Sequence, residues 1–400
     1  MGASVSSASG ATQRDRTMGT YRRAAPTFVS GEGAWLIDDE GQRYLDWISG
    51  IGAASLGHGH AGLARALGEQ AATLGHISNL YRHAPGEEFA ARLCERTGMD
   101  AVFFSNSGSE ANETALKLAR KHHAQSGAPH RQHFVALEGG FHGRTFGSLS
   151  VTSKAAYREP FGAMLETTFV EPGDIEGLAA ALLSEPCALI LEPIQGEGGI
   201  RELCAGFLTK ARQLCTETGT VLIHDEVQCG GGRTGAFLAS THAGPAAAPD
   251  VVTLAKPIGA GVPIGATLAR GPFAETLQPG DHGSTFGGGT LACAAGLVVL
   301  DELDSGLQEH VAELGAAFAA ELDALVLRHD VLAVRRGRGL IQGVVAPGRS
   351  AEISSALFDA GVLNCTAALD VVRFLPPFIL SPDDLAVGIE RLDRLLTDSF

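Results

Sequence analysis

The sequence predicts an α/β protein: a large, mostly parallel β-sheet with helices on its faces, and a smaller α/β domain built from the N- and C-terminal segments. Three observations carry that prediction. Short apolar or β-branched runs alternate with helical stretches through the middle of the chain, the texture changes over about the last hundred residues, and a hairpin pattern lies near the start.

Residues 1–20, opening MGASVSSASGATQRDRTMG, have no apolar core segment and read as a disordered tail rather than a signal peptide. The first six residues fit the Met-Gly-x-x-x-Ser pattern for myristoylation of Gly2. No basic cluster or second lipid site accompanies it, so the tail reading is preferred. In the span Phe28 to Leu45, GEGAWLIDDEGQRYLD gives a strand, a turn at Asp39 to Gly41 and a second strand, and residues 21–55 are assigned to the small domain. Residues 56–300 form the large domain. Its strands are Ala101 to Phe104, His133 to Leu137, Ala188 to Leu191, Val221 to Ile223, Val251 to Ala255 and Ile264 to Leu268, most of them separated by helices such as Glu110 to His123 and Phe207 to Glu217. Residues 301–400 complete the small domain with a long helix over Leu307 to Arg328, short strands around Leu332 to Val334 and Leu340 to Val345, and a closing helix near Leu385 to Leu396.

Composition narrows the function. A chain of 400 residues, 45% hydrophobic, can bury a large core, and no apolar run approaches the roughly 18 residues of a membrane span. A net charge of −15 argues against nucleic acid or anionic membrane as partners. Seven scattered cysteines without a C-x-x-C pair suggest no zinc or redox site and a cytoplasmic location.

Five stretches carry chemistry. In VVTLAKPIGAGVPIGA, Lys256 follows a strand and precedes a Gly/Pro loop, a position where ligands bind in open α/β sheets and where a desolvated amine becomes a nucleophile toward carbonyls. A surface lysine lying over apolar neighbours is the plainer reading of the same residues. In AVFFSNSGSEANETALKLARKHH, Ser107, Gly108 and Ser109 open a helix and make an anion site, though Ser107 with Glu110 also reads as a capping box. In VLIHDEVQCGGGRTG, Asp225 and Glu226 follow a strand, where a buried carboxylate needs a cation such as a protonated pyridine nitrogen; a loop cap is the alternative. In EGGFHGRTFG and LEPIQGEGG, Phe141 offers a stacking face and Arg144 a carboxylate fork, with His142 read as supporting a neighbour and Gln195 and Glu197 as further polar groups. A phosphate site, a stacking ring, an acid for a ring nitrogen and a lysine for an aldehyde together call for pyridoxal 5′-phosphate.

The motifs FSNSGSEANETALKLAR, GFHGRT, EPIQGEGG, HDEVQCGGGRTG, TLAKPIGAGVPIGA, HGSTFGG and RFLPP, in this order from about Tyr21 to Leu395, resemble those of the class III (ω-) aminotransferases of fold type I, nearest the acetylornithine/ornithine branch. The resemblance implies Lys256 as the Schiff-base lysine and Asp225 as the partner of the ring nitrogen. It implies Ser107, Gly108 and Ser109 around the phosphate, joined by Thr285 from a second subunit of a homodimer. Phe141 would stack on one ring face, Val227 would pack on the other, and Gln228 would bind the ring hydroxyl. Arg144 would grip the substrate carboxylate remote from the reacting amine, and Arg373 with Glu197 would form a two-substrate switch. The implied reaction moves the terminal amino group of an ornithine-like donor to 2-oxoglutarate. Cys229, Ala260 and Gly289-Thr290 depart from the pattern, as does IGAASLGHGH, and Tyr21 matches the amine-contacting tyrosine only with a one-residue slip. Other ω-aminotransferases acting on 4-aminobutyrate, diamines or lysine stay open, as do same-fold racemases or decarboxylases; a silent binding protein is opposed by the intact Lys256, Asp225, Arg144, Glu197 and Arg373.

Overall fold

The computed structural model of the protein describes residues 16–162, 164–368 and 370–400. The proposed tail up to residue 15, with its Gly2 pattern, lies outside them. Seventeen strands are assigned in chain order among the described residues: β1 (Phe28–Glu32), β2 (Trp35–Asp38), β3 (Arg43–Asp46), β4 (Ala101–Ser105), β5 (Phe134–Leu137), β6 (Thr167–Val170), β7 (Ala188–Leu191), β8 (Ile194–Gln195), β9 (Arg201–Glu202), β10 (Val221–Asp225), β11 (Val251–Leu254), β12 (Gly265–Ala269), β13 (Val334–Arg338), β14 (Ile341–Val345), β15 (Val362–Leu363), β16 (Cys365–Ala367) and β17 (Val371–Phe374).

The main sheet has the order β4-β12-β11-β10-β7-β5-β6. β5, β7, β10 and β11 are short apolar runs buried along their whole length, as strands of a parallel sheet covered on both faces must be. β6 pairs parallel to β5, β5 to β7, β7 to β10 and β10 to β11, while β12 runs antiparallel to both β11 and β4. The connection from β4 to β5 spans the width of the sheet. Its helix, Gly108–Gln125, packs against β11 and β12 and turns Ala111, Ala115, Leu116 and Ala119 inward.

The chain ends meet. β15 lies parallel to β3, with Val362 opposite Leu45, and completes the sheet β1-β2-β3-β15. A second antiparallel sheet, β13-β14-β17-β16, comes wholly from the C-terminal part. Trp47, fully buried, joins the two through Phe318 at 4.9 Å and Phe374 at 5.2 Å between ring centroids. The closing helix, Pro382–Ser399, is started by Ser381, whose hydroxyl accepts from the Asp384 amide at 3.0 Å, with proline in the first turn.

Three differences from the sequence expectations have physical causes. β6 was not expected: it is a four-residue edge strand, half-buried at Thr167 and Phe169 and exposed at Thr168, and edge strands lack the apolar run that marks inner ones. The strand expected at Leu332 to Val334 begins at Val334 and continues through the arginines to Arg338, so its pairing with β14, not apolarity, defines it. The long helix begins at Gln308, because Gly306, at φ 105°, interrupts the wider turn Leu303–Leu307 that links it to helix Thr290–Glu302.

Candidate active site

The carboxyl ends of β4, β5, β7, β10 and β11 open on one edge of the sheet, beside the crossover where the strand order reverses. That is where open α/β sheets form ligand crevices. A cavity of about 300 Å³ sits there, lined by Asn106, Ser107, Gly108, Ser109, Asn112, Phe141, His142, Gly143, Glu192, Glu197, Asp225, Val227, Gln228 and Lys256, with Ala53 from the N-terminal segment. Of the residues singled out in the sequence, ten line this one cavity: Ser107, Gly108, Ser109, Phe141, His142, Glu197, Asp225, Val227, Gln228 and Lys256.

Two glycines let backbone close over it. A Cβ on Gly108 would stand 2.5 Å from Val227 Cγ1, and one on Gly265 would stand 2.2 Å from the Ser107 carbonyl oxygen. The capping reading of the Ser107 turn is borne out by its contacts. The Ser107 hydroxyl accepts from the Glu110 amide at 3.2 Å, and Glu110 reaches back to the Asn106 amide at 2.5 Å. That leaves the amides at the start of an 18-residue helix facing the cavity.

The floor of the cavity is a closed polar network. Asp225 is buried; its Oδ2 accepts from Asn112 Nδ2 at 2.7 Å and is joined to His142 Nδ1 at 2.8 Å, while Oδ1 accepts from the Val227 amide at 3.0 Å. Asn112 is held in turn, donating to the His142 carbonyl and accepting from Thr253 Oγ1, each at 2.7 Å. Oδ1 keeps a lone pair that the network leaves free to accept a proton donor. Sequence reasoning missed Asn112. Its signal was a polar residue on the mostly apolar inner face of the helix, beside Ala111, Ala115 and Leu116.

Lys256 stands one residue beyond Ala255 at the end of β11, in the left-handed region with φ 44°. A non-glycine residue there costs about 1–3 kcal/mol, a strain retained where surroundings fix the chain. Burial pushes its amine below the ordinary lysine value, helped by the Arg373 guanidinium and opposed by the carboxylates of Glu197, Asp225 and Glu192. Desolvation thus favours the neutral amine, the nucleophilic form. Four residues on, Ala260 is also left-handed at φ 47°, where the resembling pattern has glycine.

Glu197, in one wall, is held by an ion pair with a residue behind the lining. Arg373, on β17, is only 2% exposed in its side chain, and its Nη1 lies 2.5 Å from Glu197 Oε1, whose side chain is 36% exposed. Gln228 Oε1 accepts from the same Nη1 at 3.2 Å, and Cys365 Sγ lies 3.3 Å from both Nε and Nη2. Glu192, a second residue that sequence reasoning passed over, is buried in the cavity wall and accepts from the amides of Phe141 and Gly196. Burial raises its carboxyl well above the usual range. Its signal was the acid directly after β7. Cys229 is buried behind Asp225, its sulfur 4.0 Å from the Asp225 carbonyl oxygen.

Arg144, Arg373 and Thr285 are not among the residues that line the cavity; Arg373 lies behind Glu197 and Gln228, which do. Arg144 leaves its wall at Gly143, and its guanidinium lies over the ring of Tyr157, 3.6 Å from the centroid. Thr285 is exposed in a separate surface hollow with Ser78, Leu80, Phe104 and Ser284.

A planar ring bearing a phosphate matches this donor set: an anion-binding helix start at one end, a free carboxylate lone pair at the other, Phe141 and Val227 between, and a depressed lysine within the same walls. These features define a pyridoxal-phosphate site in an α/β transferase fold. Residues 20–396 match the family model described as aminotransferase class-III. Over 377 residues the chain is 44% identical to acetylornithine aminotransferase 1 of Bradyrhizobium diazoefficiens, covering 94% of this chain and 93% of that protein. Among solved structures it is similar to the ornithine aminotransferase of Toxoplasma gondii, with a TM-score of 0.91, 30% identity, and 96% and 93% of the two chains covered. It is also similar to a PLP-bound amine transaminase of an uncultivated Pseudomonas species, with a TM-score of 0.87, 30% identity, and 96% and 99% covered. The chain belongs to the class III aminotransferases. It is a pyridoxal-phosphate-dependent enzyme that takes an amino donor and a 2-oxo acid acceptor. Among the described residues, no helix is long and apolar enough to cross a membrane.

Proposed function

We propose that the enzyme moves the terminal amino group of an ornithine-like donor, N-acylated or free, to 2-oxoglutarate, giving a semialdehyde and glutamate. The observation that carries this reading is the Glu197–Arg373 pair, set against the 44% identity to an acetylornithine aminotransferase. Bound in the cavity, pyridoxal phosphate supplies the carbonyl carbon that receives the amino group and an aromatic ring that spreads negative charge. Ser107, Gly108 and Ser109 hold its phosphate, Phe141 and Val227 enclose its ring, Gln228 meets its hydroxyl, and Asp225 Oδ1 holds the proton on its ring nitrogen. Lys256 Nζ, whose charged form burial disfavours, would take the proton from the donor's terminal carbon and pass it on within the same half-reaction, and would move a proton the opposite way in the second half.

The two halves need different walls. A terminal amine brings no carboxylate to the reacting end, so Arg373 stays paired with Glu197. 2-Oxoglutarate brings one, and the partly exposed Glu197 yields its place on the buried guanidinium, which cannot be left unpaired without large cost. Arg144 meets the carboxylate at the far end of either substrate.

A homodimer and a reducing, cytoplasmic compartment belong to the same proposal. The hollow containing Thr285 is flanked by Leu80, Tyr81 and Phe286, exposed by 85%, 65% and 66%, an apolar patch that a second subunit would cover while presenting Thr285 to the partner's phosphate site. All seven cysteines are free, in keeping with a reducing compartment. We divide the chain at residues 55/56 and 300/301, with the two ends forming the small domain. The test is a screen of ornithine, N-acetylornithine, lysine, 4-aminobutyrate and diamines for glutamate formed from 2-oxoglutarate. Highest kcat/KM for N-acetylornithine or ornithine supports the reading, and preference for a diamine or 4-aminobutyrate overturns it.

A further inference from the structure

Arg144 is held in an unusual way for an exposed cation. Its guanidinium carbon lies over the ring of Tyr157, 3.6 Å from the centroid, and 5.6 Å from the centroid of Phe141, a ring of the cavity wall. Its side chain has no carboxylate and no carbonyl acceptor among the described residues; only its backbone amide is engaged, donating to Ser109 Oγ at 3.3 Å. A guanidinium resting on a ring face keeps its five N–H donors, which lie in its own plane, available along its edges. Tyr157 is itself fixed, half-buried at the end of the short helix Ala155–Arg158, with Lys154 Nζ 4.6 Å over its ring and donating to its hydroxyl at 3.3 Å. The ring thus bears two cations, and neither is neutralised by an acid among the described residues.

We propose that Tyr157 is a positioning residue for donor recognition: its ring face holds the Arg144 guanidinium flat and unpaired, with an edge free for the donor's remote carboxylate. This rests on the reading that Arg144 binds that carboxylate. An arginine left to itself on a surface samples many rotamers, and ordering it is charged against every carboxylate it binds. Stacking removes part of that cost before the substrate arrives. The ring matters here for its π face, and the hydroxyl is dispensable.

The experiment compares N-acetylornithine with its decarboxylated counterpart, N-acetylputrescine, in wild type, Tyr157→Leu, Tyr157→Phe and Arg144→Gln, reading kcat and KM separately. Tyr157→Leu is expected to raise KM for N-acetylornithine by about three- to tenfold with kcat nearly unchanged, and to leave N-acetylputrescine untouched, a size set by cation–π attraction at a partly exposed site. Tyr157→Phe should restore wild-type KM. The carboxylate-free donor reports any general damage to the fold, which would lower both substrates together. If Arg144→Gln abolishes the preference for the carboxylate and Tyr157→Leu does not, the positioning role is wrong and the Arg144 reading stands. If Arg144→Gln keeps the preference, the Arg144 reading itself falls. Equal loss in Tyr157→Leu and Tyr157→Phe would overturn the role of the ring face.

Discussion

The floor of the cavity and its walls are built on opposite principles. On the floor, Asp225, His142, Asn112 and Thr253 are all buried, and each of their contacts is made by a group that has no other place to go. At and just outside the walls, Arg373 is buried behind the lining but its partner Glu197 is partly exposed, and Arg144, outside the lining, has no ionic partner among the described residues. A buried network in which Asp225 and Asn112 each hold several partners is rigid, because losing one of them strands the others. A cation facing one replaceable acid, or none, is ready to exchange. The floor therefore suits the step common to both substrates, and the walls suit the steps that tell them apart.

Substitutions on the floor should damage both half-reactions alike. Lys256→Ala removes the nucleophile and the proton carrier together, so turnover should fall by roughly four orders of magnitude or more, measured as glutamate formed. Asp225→Asn should fold normally and slow both half-reactions by about two to three orders of magnitude in stopped-flow traces, since an amide cannot balance a ring cation. A floor mutant that slowed only one half-reaction would break the comparison.

Wall substitutions should split the two. Glu197→Ala leaves Arg373 permanently free for carboxylate, and the ratio of kcat/KM for glutamate to that for the ω-amine donor should rise about tenfold; Arg373→Ala should lower it. Equal scaling of both substrates in both mutants would remove the switch and strengthen a racemase or decarboxylase reading.

The smallest effect concerns pH. Glu226, beside the floor, accepts from the Ala239 amide at 2.5 Å and from the amide and hydroxyl of Ser240, yet burial raises its carboxyl to about 7. The folded state then binds this proton more tightly than the unfolded chain does. Its contribution to stability is full below about pH 4.5 and is lost as the pH rises through about 7. Thermal midpoints should fall between about pH 5 and about pH 8, and fall less in Glu226→Gln, where no proton is exchanged. An identical slope in the mutant would place the titration elsewhere.

How much of this was legible in the sequence follows the same division. Inner strands such as Ala188–Leu191 announced themselves because burial on both faces demands unbroken apolar runs, whereas Thr167–Val170 at the sheet edge carries no such signature. Lys256 and Asp225 were readable because each directly follows or ends a strand, which places it at the sheet edge without knowledge of any distant contact. Asn112 and Glu192 were harder, since their roles depend on partners up to 113 residues away, such as Asp225 for Asn112. Tyr157 was not legible at all. Its meaning lies in a ring face meeting Arg144 across a turn, and nothing in the local pattern of KAAYREPF distinguishes it from a packing residue.

The most direct test of the account is chemical. Borohydride reduction of the enzyme loaded with pyridoxal phosphate, followed by peptide mass analysis, should find the pyridoxyl group on Lys256. Its presence there in wild type, together with its absence and lost turnover in Lys256→Ala, is the predicted result. A label on another lysine, or an unlabelled Lys256 in an enzyme that still turns over, would contradict the placement of the site at the end of β11.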